Sequence, residues 1–156
     1  MGKISIVPCG IDVTTFKKQD RISARKYLNL NLQSRYILFS SGFDNYVKNY
    51  TLAYKIISSL DENIILLELN NWDRKLIPII FNAVDLLLLT SHSEGSPQVI
   101  KEAYNCNCPI VTKNVGDVEE IITNRENNFI FDFKCTRSNF YFFSLFNNNP
   151  SDFKKN

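Results

Sequence analysis

Leu86-Leu87-Leu88-Leu89 carries no polar residue in four positions. A strand wetted on one face alternates apolar and polar residues, so this run reads as the central strand of a parallel sheet, buried on both faces. It has company along the chain. Short β-branched or leucine-rich runs at 4–7, 36–40, 64–69, 85–90, 109–112 and 128–131 are separated by stretches of helical period. That alternation is the pattern of an α/β domain, a parallel sheet flanked by helices. The helix predicted at 49–60 places Leu52, Ile56, Ile57 and Leu60 on one stripe. A second, at 74–83, has Pro78 in or near its first turn, because a proline deeper inside would break a backbone bond and clash. Helices at 97–105 and 118–123 complete the set, the latter with Asp117 as N-cap after Gly116.

With 156 residues, 44% of them hydrophobic, the chain suffices for one ordinary domain. Its 18 basic and 16 acidic side chains leave a net charge of +2, too small a field to gather nucleic acid. No apolar run approaches the roughly 20 residues of a spanning helix, and Met1-Gly2-Lys3 leads straight into strand-like sequence without a signal peptide. Cys9, Cys106, Cys108 and Cys135 lack metal-ligand spacing, and His92 is the one histidine. Thiols in a reducing compartment are expected, without a metal.

In open α/β sheets, ligands bind beyond the carboxyl ends of the strands. Directly after Leu89 comes Thr90-Ser91-His92-Ser93-Glu94-Gly95-Ser96-Pro97. Ser96 followed by Pro97 reads as an N-cap and first helical residue, which aims free N–H groups and a positive dipole end into the crevice. Glu94 lies just outside that helix and Glu102 about one and a half turns in. A carboxylate can take two hydroxyls of a diol, but the dipole alone also favours glutamates near a helix start. Local physics leaves the two roles open, and it leaves His92 as a hydrogen-bonding bystander in a polar loop.

The surrounding motifs carry a resemblance. Glu94 and Glu102, with seven residues between them inside "TSHSEGSPQVIKEAYNCNCPIVTKNVGDVEEII", resemble the E-x7-E signature of family 4 glycosyltransferases. "VPCGIDVTTF" resembles the linker that opens that family's C-terminal domain, and "ILFSSGFDNYVKNYTLA" resembles its phosphate-binding strand, loop and helix. The match spans residues 4 to about 131. It implies a Rossmann-like domain, the C-terminal half of a GT-B enzyme, that binds a UDP- or GDP-linked sugar without a metal or other cofactor. The implied catalytic residues are Glu94, near the reacting sugar carbon, and Lys48, on the diphosphate leaving group. Glu102 would hold the ribose hydroxyls. The backbone of Gly95, Ser96, Pro97, Gln98 and Val99 would approach sugar and phosphates, and the loop of Asn70, Asn71 and Trp72 would meet the base. The implied reaction is sugar transfer with retention to a glycan or polysaccharide acceptor.

Two departures accompany the resemblance. Many members place an Arg after the glycine that ends the second strand, where this chain has Ser41-Gly42-Phe43. The chain also begins at the family's interdomain linker, so the acceptor domain is expected in cis or on a separate chain, and the isolated chain is expected to turn over little. A non-catalytic nucleotide-sugar-binding subunit of a split transferase, or an inactive remnant, are the alternatives. The domain is expected over 1–133, followed by an atypical tail over 134–156 with a dense aromatic run at 141–143. A cytoplasmic location is expected, peripheral to the inner membrane face in a full enzyme.

Overall fold

The computed structural model describes residues 9–60, 63–122 and 128–131. Its centre is a five-stranded sheet in the order β2-β1-β3-β4-β5. The strands are β1 Arg35–Phe39, β2 Ile64–Glu68, β3 Leu86–Leu89, β4 Ile110–Lys113 and β5 Asn128–Phe131. Every neighbouring pair is parallel. The chain steps outward from β1 to β2 and then returns to lay β3 on the other side of β1. This reversal opens a crevice at the carboxyl ends of β1 and β3, the topological switch point of an open sheet.

The leucine run sits where its composition predicts: Leu86, Leu87, Leu88 and Leu89 are each 0% exposed. Successive side chains point to opposite faces. Leu86 and Leu88 join Ile37, Phe39, Val111 and Ala53 of α2 (Tyr50–Ile57). Leu87 and Leu89 join Leu38, Ile110 and the side chains of α3 (Ile77–Ala83), α4 (Gln98–Asn105) and α5 (Val118–Ile122) on the other face.

The predicted strands agree with the observed ones to within about two residues, apart from the one at 4–7, which lies outside the described residues together with the tail at 134–156. The helix expected at 49–60 is the shorter α2. The stretch 74–83 opens as a 3-10 turn, Arg74–Leu76, whose cap Asp73 accepts from the Lys75 N–H, and continues as α3 with Pro78 in its first turn.

A further helix, α1 (Arg21–Tyr27), escaped the sequence reading. Asp20 caps it by accepting from the Ser23 N–H at 2.7 Å. Its inward-facing residues include Arg25 rather than a stripe of aliphatics, so hydrophobic period does not reveal it. Arg25 donates to the carbonyls of Ala83, Leu32 and Ser34 and to Asp85 Oδ2 at 2.7 Å. Asp85, buried at the entry to β3, also accepts from Arg21 at 2.5 Å and from the Tyr36 N–H at 2.8 Å. A buried charge needs such compensation, and here it ties α1 to the amino ends of the central strands.

Candidate functional site

The loops that leave β1 and β3 are joined across the crevice. The Thr90 hydroxyl donates to the carbonyls of Lys48 (2.9 Å) and Asn49 (3.0 Å). The Asn49 amide returns a bond to the Thr90 carbonyl, and the His92 N–H donates to the Val47 carbonyl at 2.8 Å. Asn49 adopts a left-handed conformation, φ 56°, which turns the 3-10 turn Tyr46–Lys48 into α2. The Lys48 side chain is thereby delivered to Glu94, with Nζ 2.6 Å from Oε1.

Ser91 donates its hydroxyl to the same Glu94 oxygen at 2.6 Å. Its own carbonyl accepts from Lys113 Nζ at 3.0 Å. The Lys48 and Glu94 side chains are 21% and 13% exposed, which shields the pair from much of the screening that weakens surface ion pairs. His92 is exposed, its ring 5.3 Å from that of Tyr46, in keeping with a bystander. Phe43, at the position of the missing Arg, packs 4.4 Å from Tyr50 and 5.8 Å from Phe39 between ring centroids.

The start of α4 differs from expectation. Pro97 is the N-cap, with extended backbone (φ −69°, ψ 106°), and Gln98 is the first helical residue. Pro97 keeps its ψ outside the helical range, so it stands one position earlier than a proline at N1. Ser96 does not cap: its hydroxyl accepts from Lys101 Nζ at 2.7 Å, and that ammonium also donates to the Cys9 carbonyl at 3.0 Å. Gly95 lies exposed, with open space where a Cβ would stand. Its carbonyl accepts from the Asp117 N–H at 3.2 Å. Asp117 begins α5 through its backbone carbonyl, which accepts from Glu120 and Ile121, while its Oδ1 is buried without a partner. The expected side-chain cap through that oxygen is absent. Val99 packs partly buried against the core.

Glu102 and Gln98 point to a cavity of about 590 Å³, walled by Gly10, Ile11, Asp12, Thr15, Phe16 and Arg74. The Asp12 carboxylate shapes this wall, accepting from the N–H and hydroxyl of Thr14 and from those of Thr15. These bonds, the Thr14 hydroxyl foremost, hold its carboxyl well below the usual carboxylate range. Glu102 is ion-paired through Oε1 with Arg74 Nη2. The bond raises the Arg74 pKa, and the guanidinium lies 4.8 Å over the Phe16 ring. Asn71 takes a left-handed turn (φ 58°) after β2, beside Trp72, whose indole donates to the Glu68 carbonyl. Asn71 lies outside the cavity lining.

The structure brings two of the residues singled out by sequence, Lys48 and Glu94, into contact and sets Glu102 and Gln98 on one cavity, and it adds Ser91 and Arg74, which were not singled out. Ser91 lies three residues before Glu94 in the same loop, and nothing local marks Arg74. Chemically, the crevice offers the shielded Lys48–Glu94 pair beside the open Gly95, and the cavity next to α4 offers the Glu102 carboxylate with Arg74 and Gln98. Such a set suits a polyhydroxylated ligand carrying a phosphate. Among the described residues, no cluster of His, Cys, Asp or Glu could hold a metal.

Residues 66–140 match the family model for Glycosyl transferases group 1. Comparison with curated proteins finds no match. The fold resembles sucrose-phosphate synthase from Thermosynechococcus elongatus (TM-score 0.73, 16% identity, 96% of this chain and 45% of that one). It also resembles Anabaena HepE in complex with UDP-glucose (0.67, 18%, 92% and 46%). The C-terminal domain of the group 1 family protein LpcC from Francisella tularensis matches at 0.63, with 18% identity over 88% of this chain and 87% of that domain. The chain spans less than half the length of the first two structures. Residues 66–140 are thus similar to the glycosyl transferases group 1, on a Rossmann-like α/β fold shared with the GT-B glycosyltransferase structures that the chain matches.

Proposed function

We propose that the chain is the donor-binding domain of a retaining family 4 glycosyltransferase, one that takes a sugar from a nucleoside diphosphate to a glycan or polysaccharide acceptor. The observation that supports it most is the Lys48–Glu94 pair, which draws a cation and a carboxylate from two separate loops into the crevice at the switch point. In this reading the diphosphate approaches the N-terminus of α4 over Gly95, and Lys48 leaves Glu94 to neutralise it. A cation fixed beside the leaving group favours the transition state, where charge develops, over the ground state. Glu94, steadied by Ser91, then holds the donor sugar near its reacting carbon. Glu102 takes the ribose hydroxyls, Gln98 lines the same cavity, and the Asn71 turn meets the base. The acceptor attacks the face from which the diphosphate departs, and the group that holds it lies in another domain, in cis or on a separate chain. No helix among the described residues is long and apolar enough to cross a membrane.

Thermal shift against UDP, GDP, UDP-glucose and GDP-mannose tests the reading. Ligand at about 100 times its dissociation constant adds roughly 2.7 kcal/mol, a readily visible rise in melting temperature. No shift with any of the four at millimolar concentration would count decisively against donor binding.

A further inference from the structure

Glu102 is 6% exposed at its side chain, while its partner Arg74 is 67% exposed. This asymmetry separates the pair from the buried Asp85 cluster, whose arginine Arg25 is as enclosed as its acid. Arg74 spends its charge on one carboxylate oxygen: among the described residues Oε1 takes the guanidinium, and Oε2 is neither bonded nor sealed from solvent. The guanidinium is in turn held in place. Asp73 caps the 3-10 turn that carries it, and its plane rests on Phe16, itself buried against Phe81. All three of Phe16, Arg74 and Glu102 line the same cavity.

We propose that Arg74 is a positioning residue, which clamps Oε1 of Glu102 so that Oε2 faces the cavity and selects ligands with an intact vicinal diol. The assignment rests on the donor reading above. A carboxylate held at one oxygen cannot rotate freely about its last torsion, so the second oxygen meets a hydroxyl pair at a fixed angle. Planar guanidinium suits this task better than an ammonium, because its fork fixes direction as well as charge. Arg74 follows the Asn71-Trp72 turn by two residues, so the same short segment would register the base and orient the group that reads the ribose.

The test is calorimetric titration of UDP (or GDP, whichever the wild type binds) and its 2′,3′-dideoxy analogue into wild type, Arg74→Gln, Arg74→Lys and Glu102→Gln, with urea unfolding to confirm that each is folded. The wild type should prefer the ribose form by roughly tenfold or more. Arg74→Gln should lose most of that preference while binding the dideoxy analogue unchanged, Arg74→Lys should restore part of it, and adding Arg74→Gln to Glu102→Gln should cost nothing further. Equal or tighter ribose binding by Arg74→Gln, or equal losses for both ligands, would overturn the assignment while leaving donor binding intact. A wild type that binds neither nucleotide removes the donor reading, and the assignment with it.

Discussion

Lys48 and Glu94 are separated by 46 positions in sequence and by 2.6 Å in space. In the unliganded chain the cation and carboxylate satisfy each other, so under the proposed function a diphosphate would replace one partner of an existing bond. Lys48→Ala should weaken UDP or GDP by about 10- to 100-fold, the worth of a charge-assisted hydrogen bond, and leave the nucleoside unchanged. Because Glu94, 13% exposed, would keep only the Ser91 hydroxyl, unfolding free energy should fall by about 1–3 kcal/mol. Calorimetry with diphosphate and nucleoside side by side reads the difference, and equal losses for both would remove Lys48 from the phosphate site.

Asp85 answers to two arginines and the Tyr36 N–H at once. Asp85→Ala strands the guanidinium of Arg25, 5% exposed, without its counter-charge. Breaking a buried pair from one side costs about 3–5 kcal/mol. Urea unfolding should show a loss of that order; a change below about 1 kcal/mol would mean that water reaches Arg25 readily.

Gly116 has φ +60°, and a Cβ there would come 2.1 Å from the Gly95 carbonyl oxygen. Gly116→Ala should therefore cost more than the roughly 1 kcal/mol of a left-handed alanine, because backbone must also move. Under the proposed function it should weaken nucleotide-sugar binding as well, since the displaced atoms belong to Glu94 and Gly95. A melting temperature within a degree of wild type would show that the two turns separate without strain.

Cys106 is buried, and burial foremost pushes its thiol up to about 12. In the native protein at pH 8, iodoacetamide should label the exposed Cys9 and leave Cys106 and Cys108 unlabelled until denaturant is added. The sign for stability follows from the raised value. The folded state keeps a proton that the unfolded thiol gives up near its ordinary value, so this contribution is intact at neutral pH. It declines as pH rises from the ordinary thiol range toward about 12. Mass spectrometry of labelled peptides checks the first point, and unfolding curves at pH 8 and 10 the second.

What could be read from sequence was what local pattern encodes. Leu86–Leu89 announced a doubly buried strand because composition alone excludes a wet face. Pro78 marked a helix start because its ring forbids an interior place. Ser96-Pro97 misled by one residue, since a proline satisfies either N-cap or N1 and only ψ decides. Helix α1 was hidden because its buried side chains are Ala24 and Arg25, and the Arg25 partners Ala83 and Asp85 lie 58 and 60 positions on in the chain. Arg74 and Glu102 meet across 28 residues on separate elements, and no periodicity records such a meeting.

The single hydroxyl of Thr90, wholly enclosed, grips the carbonyls of both Lys48 and Asn49. The turn that carries Lys48 is therefore fastened to the end of the central strand in the unliganded chain, which opposes flap-like opening of the loop. Binding at this rim carries little ordering cost in the loop itself. Selectivity here would come from a shape already set, and any large closing motion would have to be made by something that approaches this surface from outside it.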